Sequence, residues 1–167
     1  MLTLTLDTNC FFDYLERDSL YVQELFELAA KGNIELAATT RIVTDTLDAW
    51  KGTGTSPIWE KIRSLLPSIR VVGSAARLGS TRLGWGDFLI SQSESDKLKK
   101  LHEIMPTAQI DDVDHLYGHI TAGRDIFVTS DGHFLKQRKQ LKEQFGVVIM
   151  NPNEAVQEIK KRLEESP

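Results

Sequence analysis

Four short acidic segments of this chain carry residues that could do chemistry. Their central acids are Asp7, Asp45, Asp112 and Asp131, and each lies where a strand is predicted to end or a helix to begin. A fold that brings these places together would pool four carboxylates. Carboxylate oxygens without cysteine are ligands that suit Mg²⁺ or Mn²⁺ far better than zinc. The four segments therefore predict a site for divalent metal ions.

Hydrolysis of phosphodiester bonds is the reaction that uses such a site most directly. A bound divalent ion lowers the pKa of a water molecule, and a second ion can stabilise the leaving oxygen of an in-line displacement. The single cysteine, Cys10, excludes an internal disulfide, and the chain has no Cys/His cluster for structural zinc. The chemistry must therefore come from oxygen ligands.

Length and composition indicate one domain spanning residues 1–167. The chain has 41% hydrophobic residues, a net charge of -4 and a pI near 5.6, so charge alone would not bind nucleic acid. The N-terminus has no basic segment, and no apolar run approaches the roughly 18 residues needed to cross a membrane. We expect a cytoplasmic protein without membrane contact.

The elements that must position the acids are strands alternating with helices. Hydrophobic periodicity predicts strands at residues 2–6, 34–39, 69–72, 126–129 and 147–150. Helices are predicted between Ser19 and Gly32, and at about 41–50, 57–66, 93–105, 111–122, 133–145 and after Asn151. This order predicts a parallel sheet covered on both faces, with a ligand cleft at the carboxyl ends of the strands. The middle section, residues 52–110, is the least predictable.

Asp7 and Asp131 both follow apolar strands, so a parallel sheet would place them at the same rim. Sharing of a metal ion is one interpretation of this placement. The other is that each Asp caps the helix after it, which contributes about 1 kcal/mol. The sequence leaves both interpretations open.

Helical phase ranks the acids of the two helices. In the helix at about 41–50, Asp45 lies at the edge of the apolar face and Asp48 points outward.

In the helix that begins near Asp111, Asp112, His115 and His119 share one flank. Asp112 is therefore the predicted inward acid, and His115 could orient its carboxylate. Asp111 is predicted to be a helix cap, and Asp114 a solvated charge.

Basic residues could hold a polynucleotide backbone, although ordinary solvated charge is the competing interpretation. Trp85, in a glycine-rich loop, could stack on unpaired bases or anchor the loop. The basic candidates are Arg41, Arg77, Arg82, Arg124, Lys136, Arg138 and Lys139.

Taken together, three motifs resemble the PIN-domain family of metal-dependent ribonucleases, to which VapC-type toxins belong. They are the strand ending in Asp7-Thr8-Asn9, the helix acid Asp45, and the segment from Asp112-Val113-Asp114-His115 to the strand ending in Thr129-Ser130-Asp131. The resemblance spans residue 1 to about residue 155. Its most specific part is the C-terminal one.

The resemblance implies a three-layer α/β/α sandwich with a central parallel sheet. It also implies Mg²⁺ or Mn²⁺ at the positions of Asp7, Asp45, Asp112 and Asp131, with Thr8, Asn9 or Thr129 supporting the site by hydrogen bonds. RNA is the implied substrate, and an antitoxin protein and a homodimer are implied partners. Asp45 stands where the family most often has Glu, and residues 52–110 are longer than the middle section of compact toxins.

Two other functions fit parts of the pattern. A non-catalytic PIN-like module would bind RNA or a protein without cutting, but clustered carboxylates without a cation would repel one another. A phosphatase of the aspartyl-phosphate type also begins with a strand-end acid, but it would need a second acid where this chain has Asn9. A metal-dependent endoribonuclease is therefore the leading hypothesis.

Overall fold

Five parallel strands form the central sheet of this protein. The computed structural model describes residues 1–42, 57–74, 91–106, 108 and 110–165. The strands in these ranges are β1 (Leu2–Leu6), β2 (Ile34–Thr39), β3 (Arg70–Val72), β4 (Ile126–Val128) and β5 (Val148–Met150). Their order is β3-β2-β1-β4-β5. β2 and β4 lie on opposite sides of β1, so the order of the strands reverses between β1 and β4. This place is the topological switch point of the sheet, where open α/β sheets bind ligands.

Seven α-helices lie within the described ranges, and none of them is long and apolar enough to cross a membrane. They are α1 (Thr8–Leu15), α2 (Leu20–Ala30), α3 (Pro57–Leu65), α4 (Gln92–Ile104), α5 (Ile110–Thr121), α6 (Gly132–Phe145) and α7 (Pro152–Glu165). A short 3-10 helix, Leu66–Ser68, follows α3. Residues 40–42 are also helical.

Side chains on the two faces of the sheet form two hydrophobic cores. Leu4 and Leu6 of β1 pack with residues of α1, α2, α3 and α7 on one face. Phe127 of β4 and Ile149 of β5 pack with residues of α4, α5 and α6 on the other. Alternate residues of a strand point to opposite faces, so one strand supplies both cores. The expected three-layer α/β/α sandwich with a parallel sheet is confirmed.

The strand predictions agree with the structure to within one residue at each end, but α1 was not assigned from the sequence. Cys10 and Phe11 are buried and Tyr14 packs against the same core, which is the spacing of one helix face. Asp7 as a cap before this apolar pattern was the signal for a helix. The predictions for Asp45, Asp48, Arg77, Arg82 and Trp85 fall outside the described residues.

Gly118 allows α5 to approach the sheet closely, and we expect Gly118→Ala to destabilise the protein. A Cβ atom at this position would lie 2.9 Å from the carbonyl oxygen of Gly73 and 3.2 Å from Cγ2 of Thr39. The backbone must shift to relieve the first contact. The overpacking should therefore lower the free energy of unfolding by about 1–3 kcal/mol, which exceeds the gain in helix propensity. Urea unfolding measures the difference.

Gly132→Ala is the matched control for this prediction. A Cβ at Gly132 meets no atom within 4 Å, and the residue also lies in a helix. Its substitution should leave the free energy of unfolding unchanged or raise it slightly. A Gly118→Ala protein as stable as the Gly132→Ala protein would contradict the close approach.

Candidate functional site

Asp7 is buried at the carboxyl end of β1, with 2% of its surface exposed. Its Oδ1 accepts a hydrogen bond from the backbone N–H of Thr8 at 2.8 Å, which caps α1. Its Oδ2 accepts one from the Thr129 hydroxyl at 2.7 Å and lies 3.5 Å from the amide nitrogen of Asn9. The carboxylate is therefore held in one orientation.

Burial raises the pKa of the Asp7 carboxyl above its ordinary value of 3.8. The charge of His115 and the hydrogen bonds from Thr129 and Thr8 partly offset this effect, and the charge of Asp131 raises the pKa further. The anion is thus disfavoured by its surroundings and by a second acid. A cation bound here would relieve both effects.

Asp131 lies just after β4, at the start of α6. Its Oδ1 accepts a hydrogen bond from the backbone N–H of His133 at 2.7 Å and lies 3.1 Å from Nδ1 of the His133 ring. Its own N–H donates to the Thr129 hydroxyl at 3.0 Å, the same hydroxyl that donates to Asp7. Thr129 therefore links the two acids across the β1–β4 switch point.

Asp7 and Asp131 both cap helices, as one of the two interpretations of these acids predicts. Each carboxylate accepts a backbone hydrogen bond at the start of the helix that follows it. In both residues the cap bond is made by Oδ1. A cap of this kind orients a carboxylate and does not exclude a metal ligand.

His115 joins α5 to the ends of two strands. The residue is 2% exposed. Its Nε2 lies 3.1 Å from the Thr8 hydroxyl and its Nδ1 lies 2.5 Å from the hydroxyl of Thr39, the last residue of β2. Asp112, one turn earlier on α5, is half-buried. The third acid is thus on a helix fixed directly to the rim of the sheet.

The predicted environment of Asp114 was wrong, because this residue is buried with 1% exposure. The segment after β3 covers that side of α5, where the Ser74 hydroxyl donates to the backbone carbonyl of Asp114 at 2.8 Å. A helical wheel with a single buried face cannot represent a helix that is covered on two sides. The helix also begins at Ile110, one residue before the predicted cap Asp111.

Arg124 does not lie where RNA could bind it, contrary to its prediction as a backbone contact. Its side chain is 3% exposed and forms an ion pair with Glu35. It also donates to the backbone carbonyls of Leu4 and Glu35, before the start of β4. Arg138, another basic candidate, pairs with both carboxylate oxygens of Glu154 at the surface.

Sequence reasoning missed Asp13 and Ser130 beside the site. Asp13 is 7% exposed in α1, accepts a hydrogen bond from the Ser130 hydroxyl and pairs with Arg17 at 2.7 Å. Ser130 stands between Thr129 and Asp131, so the loop after β4 is fastened to α1. An acid within the apolar pattern of α1 was the signal that could have identified Asp13. The signal could not be used because α1 was not assigned from the sequence.

The described part of the rim brings two of the four predicted acids together. Asp7 and Asp131 interact electrostatically and share Thr129, whereas Asp45 lies outside the described residues. Among the side chains that the structure describes, no group of three or more His, Cys, Asp or Glu residues is arranged to hold a metal ion. The pair of oxygen donors, one of them buried, fits the chemistry of a hard divalent cation.

Comparisons with known proteins define the class of fold. No protein-family model and no curated protein matches the chain. Among solved structures, a chain in the crystal structure of VapBC2 from Rickettsia felis bound to a DNA fragment from their promoter is similar, with a TM-score of 0.58 and 13% identity. The similarity covers 90% of this chain and 98% of that chain. The protein is therefore a three-layer α/β/α protein with a PIN-like fold.

Proposed function

We propose that this protein is a metal-dependent endoribonuclease that hydrolyses RNA phosphodiester bonds. Asp7, Asp112 and Asp131 would hold Mg²⁺ or Mn²⁺, and Asp45 would complete the site or help to activate water. The observation that supports this most is the buried Asp7 carboxylate, whose pKa is raised by burial beside a second acid at the switch point of the sheet. Active sites are where burial and neighbouring charges are arranged to shift pKa values, so this carboxylate marks a candidate site.

The residues of the chain orient the acids for this reaction. Thr129 donates to Asp7 and accepts from the backbone N–H of Asp131, which ties the Asp7 carboxylate to the backbone of the second acid. The backbone N–H of Thr8 donates to the other oxygen of the Asp7 carboxylate, Oδ1, and the Asn9 amide lies near the same Oδ2 as Thr129. A bound divalent ion would supply a water molecule of lowered pKa and positive charge for the phosphate.

Partners and location are proposed from the same fold. The similar solved chain belongs to a VapBC complex, and VapC-type toxins are members of the family that the sequence resembles. We propose an antitoxin protein as a partner, with a homodimer as the functional form and the cytoplasm as its location. The alternative function, a non-catalytic PIN-like module that binds RNA or a protein, would have to tolerate the buried Asp7 charge without using it.

Cleavage of RNA by the purified protein tests the proposal. With Mg²⁺ or Mn²⁺ present, we expect cleavage that EDTA stops. Asp112→Asn and Asp131→Asn should each reduce the rate by more than about 100-fold, since even groups that only support metal ligands cost 10–100-fold when removed. Rates of a fluorescent single-stranded RNA substrate measure the effect.

Asp96→Asn is the control, because this acid lies on the surface of α4 with 55% of its side chain exposed. The variant should cleave at the wild-type rate, and it also controls for contaminating ribonuclease. The proposal is wrong if the wild-type protein cuts no RNA with either ion, or if the Asp131→Asn protein cuts as fast as the Asp96→Asn protein.

A further inference from the structure

His115 lies where α5, which carries Asp112, meets the start of α1 after Asp7 and the end of β2. Through Thr8 it reaches the residue after Asp7, whose backbone N–H donates to the Asp7 carboxylate. On its other side it reaches Thr39, the residue before the helical turn at 40–42. Asp112 lies one turn before it on the same helix. A single buried ring therefore connects the helix that carries Asp112 to the residue after Asp7 and to the end of β2.

We propose that His115 is a positioning residue that sets the spacing of the metal-binding acids by bridging Thr8 and Thr39. The proposal rests on the proposed metal site and deepens it. The imidazole ring is rigid, and its two nitrogens hold the two hydroxyls at a fixed separation. Either hydroxyl can donate or accept, so both tautomers of the ring are accommodated. The bridge joins the start of α1, just after β1, to the carboxyl end of β2.

Other contacts near the His115 ring hold α5 against the sheet. Thr39 is also close to the Gly118 backbone on the next turn, where a Cβ would meet its Cγ2 at 3.2 Å. The Ser74 hydroxyl fixes the same helix through the backbone carbonyl of Asp114. With the helix held in this way, loss of the ring would free the Thr8 and Thr39 side chains without removing α5 from the sheet.

Metal selectivity distinguishes positioning from general stability. Mg²⁺ demands near-ideal octahedral geometry, whereas Ca²⁺ accepts six to eight oxygen ligands in flexible geometry. A change in acid spacing should therefore weaken Mg²⁺ binding more than Ca²⁺ binding. A loss of stability alone would weaken both by the same factor.

The test is a set of His115 variants of the full chain, titrated with Mg²⁺ and with Ca²⁺ by calorimetry. His115→Ala should weaken Mg²⁺ binding by about 10–100-fold, as loss of groups that support metal ligands does. His115→Gln places its amide near the position of Nε2 and keeps the bond to Thr8. His115→Asn mimics Nδ1 and keeps the bond to Thr39. Each should recover part of the Mg²⁺ affinity, with a smaller effect on Ca²⁺.

His119 provides the matched control on the same helix. It is 1% exposed, its Nδ1 lies 3.0 Å from the hydroxyl of Thr5, and burial lowers its pKa to about 3. His119→Ala should lower the unfolding temperature much as His115→Ala does. It should leave the ratio of Mg²⁺ to Ca²⁺ affinity at the wild-type value, because Thr5 precedes the end of β1 by one residue and bonds to no predicted acid in the described contacts.

The outcomes separate this inference from the proposed function. If the wild-type protein binds Mg²⁺ but cuts no RNA, the proposed function is wrong and the affinity ratios still decide the role of His115. If the protein cuts RNA and His115→Ala changes both affinities by the factor seen in His119→Ala, positioning by His115 is wrong and the function stands. Failure of the wild-type protein to bind either ion would overturn both.

Discussion

Asp7→Asn should abolish metal-dependent cleavage and, at the same time, make the metal-free protein more stable. The loss of activity should exceed about 100-fold, because a proposed ligand is removed and supporting groups alone are worth 10–100-fold. The gain in stability follows from burial, which raises the pKa of the Asp7 carboxyl and so penalises its charge at neutral pH. An amide of the same shape carries no such penalty. We therefore expect the metal-free Asp7→Asn protein to have the higher Tm at neutral pH, and each kcal/mol of gain corresponds to roughly 2–4 °C.

The pH dependence of this gain has a defined sign. The folded protein holds the Asp7 proton more tightly than the unfolded chain, whose pKa is near the ordinary value of 3.8. The contribution of Asp7 to stability therefore falls as pH rises from that value through the raised pKa. The Asp7→Asn protein lacks this fall, so its advantage should be largest at neutral pH. Thermal unfolding of both proteins from about pH 3 to about pH 8 measures how this difference in stability depends on pH.

Added metal should reverse the order of the two proteins. If Asp7 is a metal ligand, Mn²⁺ should bind the native wild-type protein and raise its Tm with concentration, whereas the Asp7→Asn protein should not respond. The surface variant Asp96→Asn should respond as the wild type does. Equal stabilisation of the wild-type and Asp7→Asn proteins by Mn²⁺ would rule out Asp7 as a ligand.

Arg124→Ala should have the largest effect on stability among the polar substitutions proposed, about 1–3 kcal/mol, because it removes a donor from buried carbonyls. The Arg124 side chain is 3% exposed. Besides its ion pair with Glu35 it donates to the carbonyls of Leu4 at 3.0 Å and Glu35 at 2.8 Å. Removal of the Arg124 side chain leaves these carbonyls without that donor. It also creates a cavity beside the sheet. Urea unfolding measures the loss, and Arg124→Lys should recover little of it, since an ammonium cannot make the same fork of hydrogen bonds.

Arg138→Ala is the control for this prediction. Arg138 makes two hydrogen bonds to Glu154, but its side chain is 48% exposed. Solvent screens such a pair, so the substitution should cost less than about 1 kcal/mol. Equal costs at the two arginines would contradict the structural role of Arg124.

Acid titration provides a second measure of the Arg124 site. The hydrogen bond from Arg124 holds the pKa of Glu35 below its ordinary value of 4.5. A carboxyl with a lowered pKa contributes stability that is present above the ordinary value and lost as pH falls through the lowered one. The wild-type protein should lose this contribution in that acidic range. The Arg124→Ala protein has already lost it, so its stability should change less there.

Local patterns were sufficient to predict the sheet and the placement of two acids. Alternating Leu and Thr before Asp7, and the apolar run before Thr129, predicted strands whose carboxyl ends meet at one rim. Parallel strands require this, whatever packs against them. The metal-binding roles of Asp7, Asp112 and Asp131 stay predictions, as does the role of Asp45.

Contacts between distant segments could not be predicted from local patterns. Asp114 is buried because residue 74 packs on α5, and Arg124 is buried because Glu35 of β2 lies beside it. His115 was a candidate partner for Asp112, but its two described hydrogen bonds join Thr8 and Thr39. These pairs are separated by 40 to 107 residues, and no sequence period links them.

The sequence by itself determined the five parallel strands and the described helices other than α1, and it placed Asp7 and Asp131 at the same rim. Only the tertiary structure decided which polar side chains surround them, including Thr129 between the acids and His115 next to Thr8 and Thr39. The reason is that hydrophobic period and cap preference act within a few residues of chain. A buried hydrogen bond depends on which surfaces meet, and that is settled when the helices pack on the sheet.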